Sequence, residues 1–115
     1  MIKRILVPLD NSKFCESAVA TGCYMARYYD AELTAITVLD IPGIEDSVGP
    51  VPVGGSAYAK ELREHKKKEA HETLEKVLAN FGETCERERV KHRIIQESGE
   101  PAEEIICYAM LYDLV

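Results

Sequence analysis

Ile5-Leu6-Val7-Pro8-Leu9-Asp10-Asn11-Ser12 decides the fold, because an apolar run gives way to helix-start residues within three positions. Ile5, Leu6 and Val7 show no polar alternation, which is the pattern of a strand buried on both faces of a parallel sheet. Pro8 removes a ladder donor where such a strand should end. Asp10, Asn11 and Ser12 follow as three candidate helix caps, and Asn11 or Ser12 is expected to open a helix reaching about Tyr29. Ligands of open α/β sheets collect beyond the carboxyl ends of the strands, so Asp10 stands where a binding site belongs.

Working outward, Ala18, Val19, Gly22, Cys23 and Ala26 form an apolar stripe at helical spacing. Its small residues allow close approach to a sheet, which gives Gly22 a packing reason. Leu33 to Leu39, β-branched and mostly apolar, reads as a second strand. Residues 40–56 hold three prolines and four glycines and show no periodicity, so a flexible loop is expected there. Ser56 is a candidate cap for a long helix over about 57–81, with Leu62, Ala70, Leu74, Val77, Leu78 and Phe81 inward and Gly82 as its terminator. Val90 to Gln96 alternates before turning apolar, as in a third, less enclosed strand. After the turn Ser98-Gly99-Glu100-Pro101, residues 102–112 read as a helix with Ile105, Ile106, Ala109 and Met110 on one face. Asp113-Leu114-Val115 opens a fourth strand. The order β-α-β-α-β-α-β in a single 115-residue domain predicts an α/β fold, an open twisted parallel sheet with helices on both faces.

A net charge of −6, with basic residues interspersed among acidic ones, argues against nucleic acid as a partner. Lys66-Lys67-Lys68 is flanked by Glu64, Glu69 and Glu72 and reads as a solvated helix face. No apolar stretch approaches the roughly 18 residues of a membrane span, and no signal-type leader precedes the first strand, so a soluble, cytoplasmic protein is expected. Cys15, Cys23, Cys85 and Cys107 form no C-x-x-C pair, and His65 and His71 lie six apart rather than on one helix face. Reduced thiols and no metal site are expected.

The opening Ile5 to Ser12, the strand closing on Thr37-Val38-Leu39-Asp40, the long charged helix, the turn Glu97 to Pro101 and the final Asp113-Leu114-Val115 resemble, in their order and spacing, the universal stress protein family. The resemblance covers the whole chain and implies a sheet of the adenine-nucleotide-binding kind, with strand order 3-2-1-4-5. It implies a stress-response module that binds ATP or a related adenine nucleotide and that forms a homodimer; the residues themselves show no hydrolytic machinery, Asp10 being the one plausible member, so no enzymatic activity is expected. Pro8 and Leu9 would then be pocket wall, Asp10 would contact the ribose, and the backbone at Val38 would meet adenine. A carboxylate can accept from ribose hydroxyls, and a main-chain N–H and C=O pair can match the adenine edge. For Asp10 the alternative role is a helix cap, and for Val38 it is plain strand burial. The resemblance also implies a glycine-rich phosphate segment, G-x2-G-x9-G-[ST], and a last helix and strand; these 115 residues hold none of the three, so the chain reads as incomplete at its C-terminus. A non-nucleotide-binding family member acting through dimerisation or protein partners is the other reading.

Two further classes fit poorly. A phosphoacceptor domain of similar topology needs an aspartate closing the third strand, where Gln96-Glu97-Ser98 stands. A flavin or dinucleotide oxidoreductase needs G-x-G-x-x-G after an early strand, and none is present. Gly49-x4-Gly54-Gly55-Ser56 lacks the lysine of a P-loop.

Overall fold

The computed structural model describes residues 1–115. Its elements in chain order are β1 (Arg4–Pro8), α1 (Cys15–Tyr29), β2 (Glu32–Asp40), α2 (Ile41–Val48), α3 (Ser56–Arg87), β3 (His92–Gly99) and α4 (Pro101–Ala109). β2 is central and parallel to both neighbours, with Leu6 opposite Thr34 and Ala35 opposite Ile94. On the other side of β1 a single parallel bridge joins Ile5 to Leu114. The expected order 3-2-1-4 is therefore present, with the fourth strand reduced to one bridge.

Alternation along each strand divides the core between the two sheet faces. Ile5, Val7, Leu33 and Ala35 pack with Val19, Cys23 and Ala26 of α1 and with Leu78, Phe81 and Cys85 of α3. Leu6, Thr34 and Ile36 are equally buried on the opposite face. That face carries α4, whose Tyr108 hydroxyl donates to Glu97, and beyond the end of α4 Arg4 stacks over the Tyr112 ring at 4.8 Å. Helices on both faces follow from right-handed crossovers running first toward β3 and then back past β1. Gly22 has the packing role its place in the stripe suggests, since a Cβ there would sit 3.1 Å from Leu33 Cδ1.

Several boundaries differ from the sequence expectation. α1 begins at Cys15 with Phe14 as its N-cap, not at Asn11 or Ser12. The residues between are held in local turns: Asp10 Oδ1 accepts from Ser12 N–H at 2.8 Å, and Ser12 Oγ accepts from Phe14 N–H at 3.3 Å. The side chains that would cap a helix are closing the turn before it. The expected flexible loop 40–56 contains helix α2. Asp40 caps it by accepting from Gly43 N–H at 3.0 Å, and Pro42 lies in its first turn. α2 docks on the start of α3, where Ile44 and Ala59 are buried and Arg63 Nε reaches Glu45 at 2.7 Å.

α3 runs through Gly82, the expected terminator, because the buried series Leu78, Phe81, Cys85 keeps helical spacing across it. The helix stops at Arg89, whose φ of 58° lets Val90 N–H reach Cys85 C=O at 2.9 Å. α1 ends in the same way at Asp30, with φ 53° and a 2.8 Å bond from Ala31 N–H to Ala26 C=O. Both are Schellman closures made without glycine. Ser56 is inside α3 rather than capping it, and Gly55 precedes the helix. In α4, Ile105 and Tyr108 turn inward while Ile106 and Met110 are exposed, a rotation of the expected apolar face.

Asp113 ties the C-terminus to the start of β1, its Oδ2 accepting from Lys3 N–H at 2.8 Å and Arg4 N–H at 3.0 Å. These amides hold its carboxyl below the ordinary value of 3.8. An ionised carboxylate favoured by the fold stabilises fully above the unfolded value, and that stabilisation is lost as pH falls through the lower folded value. Asp113→Asn should therefore melt below the wild type at about pH 6, with the gap narrowing as pH falls below 3.8. A difference that persists undiminished at the acid end would contradict this role.

Candidate functional site

The strand ends place Asp10 and Asp40 at the same edge of the sheet, one after β1 and one closing β2. Between them lies a cleft of about 350 Å³, walled by Pro8, Leu9, Cys15, Ile36, Val38 and Ile105 among others. α1 supplies one side through Cys15 and Ala18, and α4 closes the opposite side through Pro101 and Ile105. This is the crevice outside the carboxyl ends of the strands, where open α/β sheets seat ligands. Its volume is at the lower end of the range for small-molecule sites.

The hydrogen-bonding capacity of the cleft comes from where β1 stops. Leu9 N–H donates to Ile36 C=O at 2.9 Å, and Glu32 N–H donates to Lys3 C=O, so the even-numbered residues of β2 turn their main chain toward β1. The β1–β2 register ends at Pro8 opposite Ile36. Val38 lies two residues farther along, and its N–H and C=O face the space beyond the end of β1. Asp10 uses Oδ1 for the turn to Ser12, while Oδ2 accepts no bond within the chain. Cys15 Sγ approaches Asp10 C=O at 2.7 Å and fixes the main chain behind that carboxylate. The cleft thus offers a carboxylate oxygen, a free donor–acceptor pair on the backbone, and apolar walls.

The model of the universal stress protein family matches residues 1–114. The chain belongs to the universal stress protein family. Among solved structures it is similar to universal stress protein UspA from Lactobacillus plantarum, at 24% identity and TM-score 0.60, over 96% of this chain and 70% of that one. It is also similar to the hypothetical protein MJ0577, the subject of a structure-based assignment of biochemical function, at 25% identity and TM-score 0.67, over 99% and 73%. A universal stress protein family member from Burkholderia pseudomallei matches at 23% identity and TM-score 0.56, over 96% and 74%. No curated protein matches the chain.

All four residues singled out from the sequence of this universal stress protein, Pro8, Leu9, Asp10 and Val38, line the one cleft. Asp10 does not cap α1; it closes the turn ahead of the helix. Sequence reasoning passed over Asp40, Cys15, Pro101 and Ile105. Asp40 had a signal, since it follows β2 as Asp10 follows β1. The α4 residues had none, because only the crossover of the chain brings them to this edge. No helix of the protein is long and apolar enough to cross a membrane.

Proposed function

We propose that this universal stress protein domain is a stress-response module that binds an adenine nucleotide, ATP or a related molecule, at the cleft beyond β1 and β2. The observation that carries this reading is the meeting of the Asp10 carboxylate and the outward-facing main chain of Val38 in one apolar cleft. Val38 N–H would donate to a ring nitrogen of adenine and Val38 C=O would accept from its amino group. Asp10 Oδ2 would accept from a ribose hydroxyl, and Pro8, Leu9 and Ile36 would pack against the base and sugar. The cleft suits the nucleoside part of the ligand, and the 115 residues hold no glycine-rich phosphate run. The role is binding rather than hydrolysis, because phosphoryl transfer needs a metal-holding carboxylate, phosphate donors and a positioned nucleophile together.

The cysteines provide a local readout. Burial pushes the Cys23 thiol up and the Cys85 thiol up to about 12, so neither supplies a reactive thiolate near neutrality. Cys15 lines the cleft and Cys107 is exposed away from it. ATP at about ten times its dissociation constant should slow alkylation of Cys15 by about tenfold and leave Cys107 unchanged, read by peptide mass spectrometry. Equal rates at Cys15 with and without nucleotide would overturn the reading.

A second reading, action through a partner without nucleotide, is favoured by one observation: the outer edge of β3 carries no covering strand.

A further inference from the structure

α1 and α3 pack side by side on one face of the sheet and meet in matched turns. Cys23 Sγ of α1 lies 3.9 Å from Cys85 Sγ of α3, in direct contact although 62 positions apart in the chain. One turn farther on, Arg27 meets Glu88 at 2.9 Å across the same seam. One turn back, Val19 and Phe81 line a groove of about 420 Å³ between the two helices. The two thiols therefore stand just beyond the inner end of an open groove. A buried cysteine acting as filler packs as a small hydrophobe and needs no second sulfur. This pair is placed for chemistry between its members.

We infer that Cys23 and Cys85 form a redox modification site, at which a hydroperoxide converts the two thiols into a disulfide that fastens α1 to α3. Cys23 reacts first. It keeps slight exposure where Cys85 has none. Burial pushes both thiols up, but the hydrogen bond from Cys85 counters this at Cys23, while Cys85 is raised further by the sulfur beside it. Glu88 opposes the Cys23 thiolate, and Arg27 and Arg87 favour it. The thiolate attacks one peroxide oxygen and the O–O bond breaks. The departing oxygen takes up the proton that Cys23 released and leaves as an alcohol, or as water from hydrogen peroxide, with Cys23 now a sulfenic acid. Cys85 sulfur then attacks Cys23 sulfur, and the displaced hydroxyl leaves as water with the Cys85 proton. The thiols give up two electrons and the peroxide accepts two. The enclosed, protonated pair starts slowly, but contact between the sulfurs makes the second step effectively unimolecular. Two turns of α1 separate Cys23 from Cys15 in the nucleotide cleft, so the site stands whether or not nucleotide binds there.

Hydrogen peroxide applied to the folded full chain, followed by peptide mass spectrometry without reduction, tests the site. The exposed Cys107 measures exposure to the oxidant. A cross-linked Cys23–Cys85 peptide is expected, lighter by two hydrogens than its two parts. The bridge joins residues 62 positions apart, so the oxidised protein should melt about 10 °C higher than the reduced one, and dithiothreitol should remove both the cross-link and the gain. Cys85→Ala should leave Cys23 as a sulfenic acid that dimedone traps, whereas Cys23→Ala should leave Cys85 unmodified. The wild-type peptide map decides the matter even if either alanine variant fails to fold. Recovery of Cys23 and Cys85 as free thiols once Cys107 is fully oxidised, or bridges joining them to Cys15 or Cys107 instead of to each other, would overturn the inference.

Discussion

Phe81→Ala is expected to destabilise the protein by about 3–5 kcal/mol, a large fraction of the roughly 5–15 kcal/mol that holds a domain folded. Phe81 is fully buried where α3 crosses the sheet, and its ring meets His92 of β3 edge to face at 5.7 Å. It shares the cluster formed by Val19 and Cys23 of α1 and Leu33 and Ala35 of β2, so truncation opens a cavity that three elements would have to collapse to fill. Urea unfolding should show the midpoint falling with the slope unchanged. Phe14→Ala is the matched control, because that ring is largely exposed and its loss should change stability by less than about 0.5 kcal/mol. Similar losses for both phenylalanines would mean that the core is not centred where α1, α3 and the sheet meet.

The second large effect concerns the cleft. Asp10→Ala should weaken binding of a fluorescent ATP derivative by about 10–100-fold, the range expected when a charge-assisted hydrogen bond is lost. Alanine also removes the 2.8 Å bond that holds Ser12 in its turn, so a loss of affinity could come from the turn alone. Asp10→Asn separates the two causes. Its side-chain oxygen can still accept from Ser12 N–H, but the charge is gone. Asparagine should therefore keep the stability of the wild type while binding nucleotide about tenfold more weakly. Wild-type affinity in both variants would remove Asp10 from the site.

The parts of the fold that were legible in the sequence are those set by burial on both faces of a strand. Ile5-Leu6-Val7 and Leu33 to Leu39 announced parallel strands, and Val19, Gly22, Cys23 and Ala26 are the buried face of α1. What misled was the use of single residues as punctuation. Gly82 carries no obligation to end a helix while Leu78, Phe81 and Cys85 continue the buried stripe around it. The helices instead end at Arg89 and Asp30, whose left-handed conformations are stabilised by the packing of Val90 and Ala31 behind them. Ile41 to Val48, rich in turn residues, becomes a helix because Asp40 caps it and α3 offers Ala59 and Arg63 as a docking surface. Those contacts lie beyond the reach of local pattern.

The site divides in the same way. Pro8, Leu9 and Asp10 were readable because they end a strand whose burial was plain. Val38 was named through resemblance, and its physical reason emerges only from the ladder: β1 stops at Pro8, and the main chain of Val38 is left facing the gap. Pro101 and Ile105 reach the cleft through the crossover of α4, which no nearby residue specifies.

Nitrogen-resolved NMR of the full chain during titration with ATP tests the central claim most directly, because the amide of Val38 reports on the proposed contact itself. Saturable shifts are expected at Leu9, Asp10 and Val38, with the far edge at Arg93 to Gln96 unmoved. Absence of any saturable shift, or shifts that leave Val38 and Asp10 untouched while others move, would contradict it.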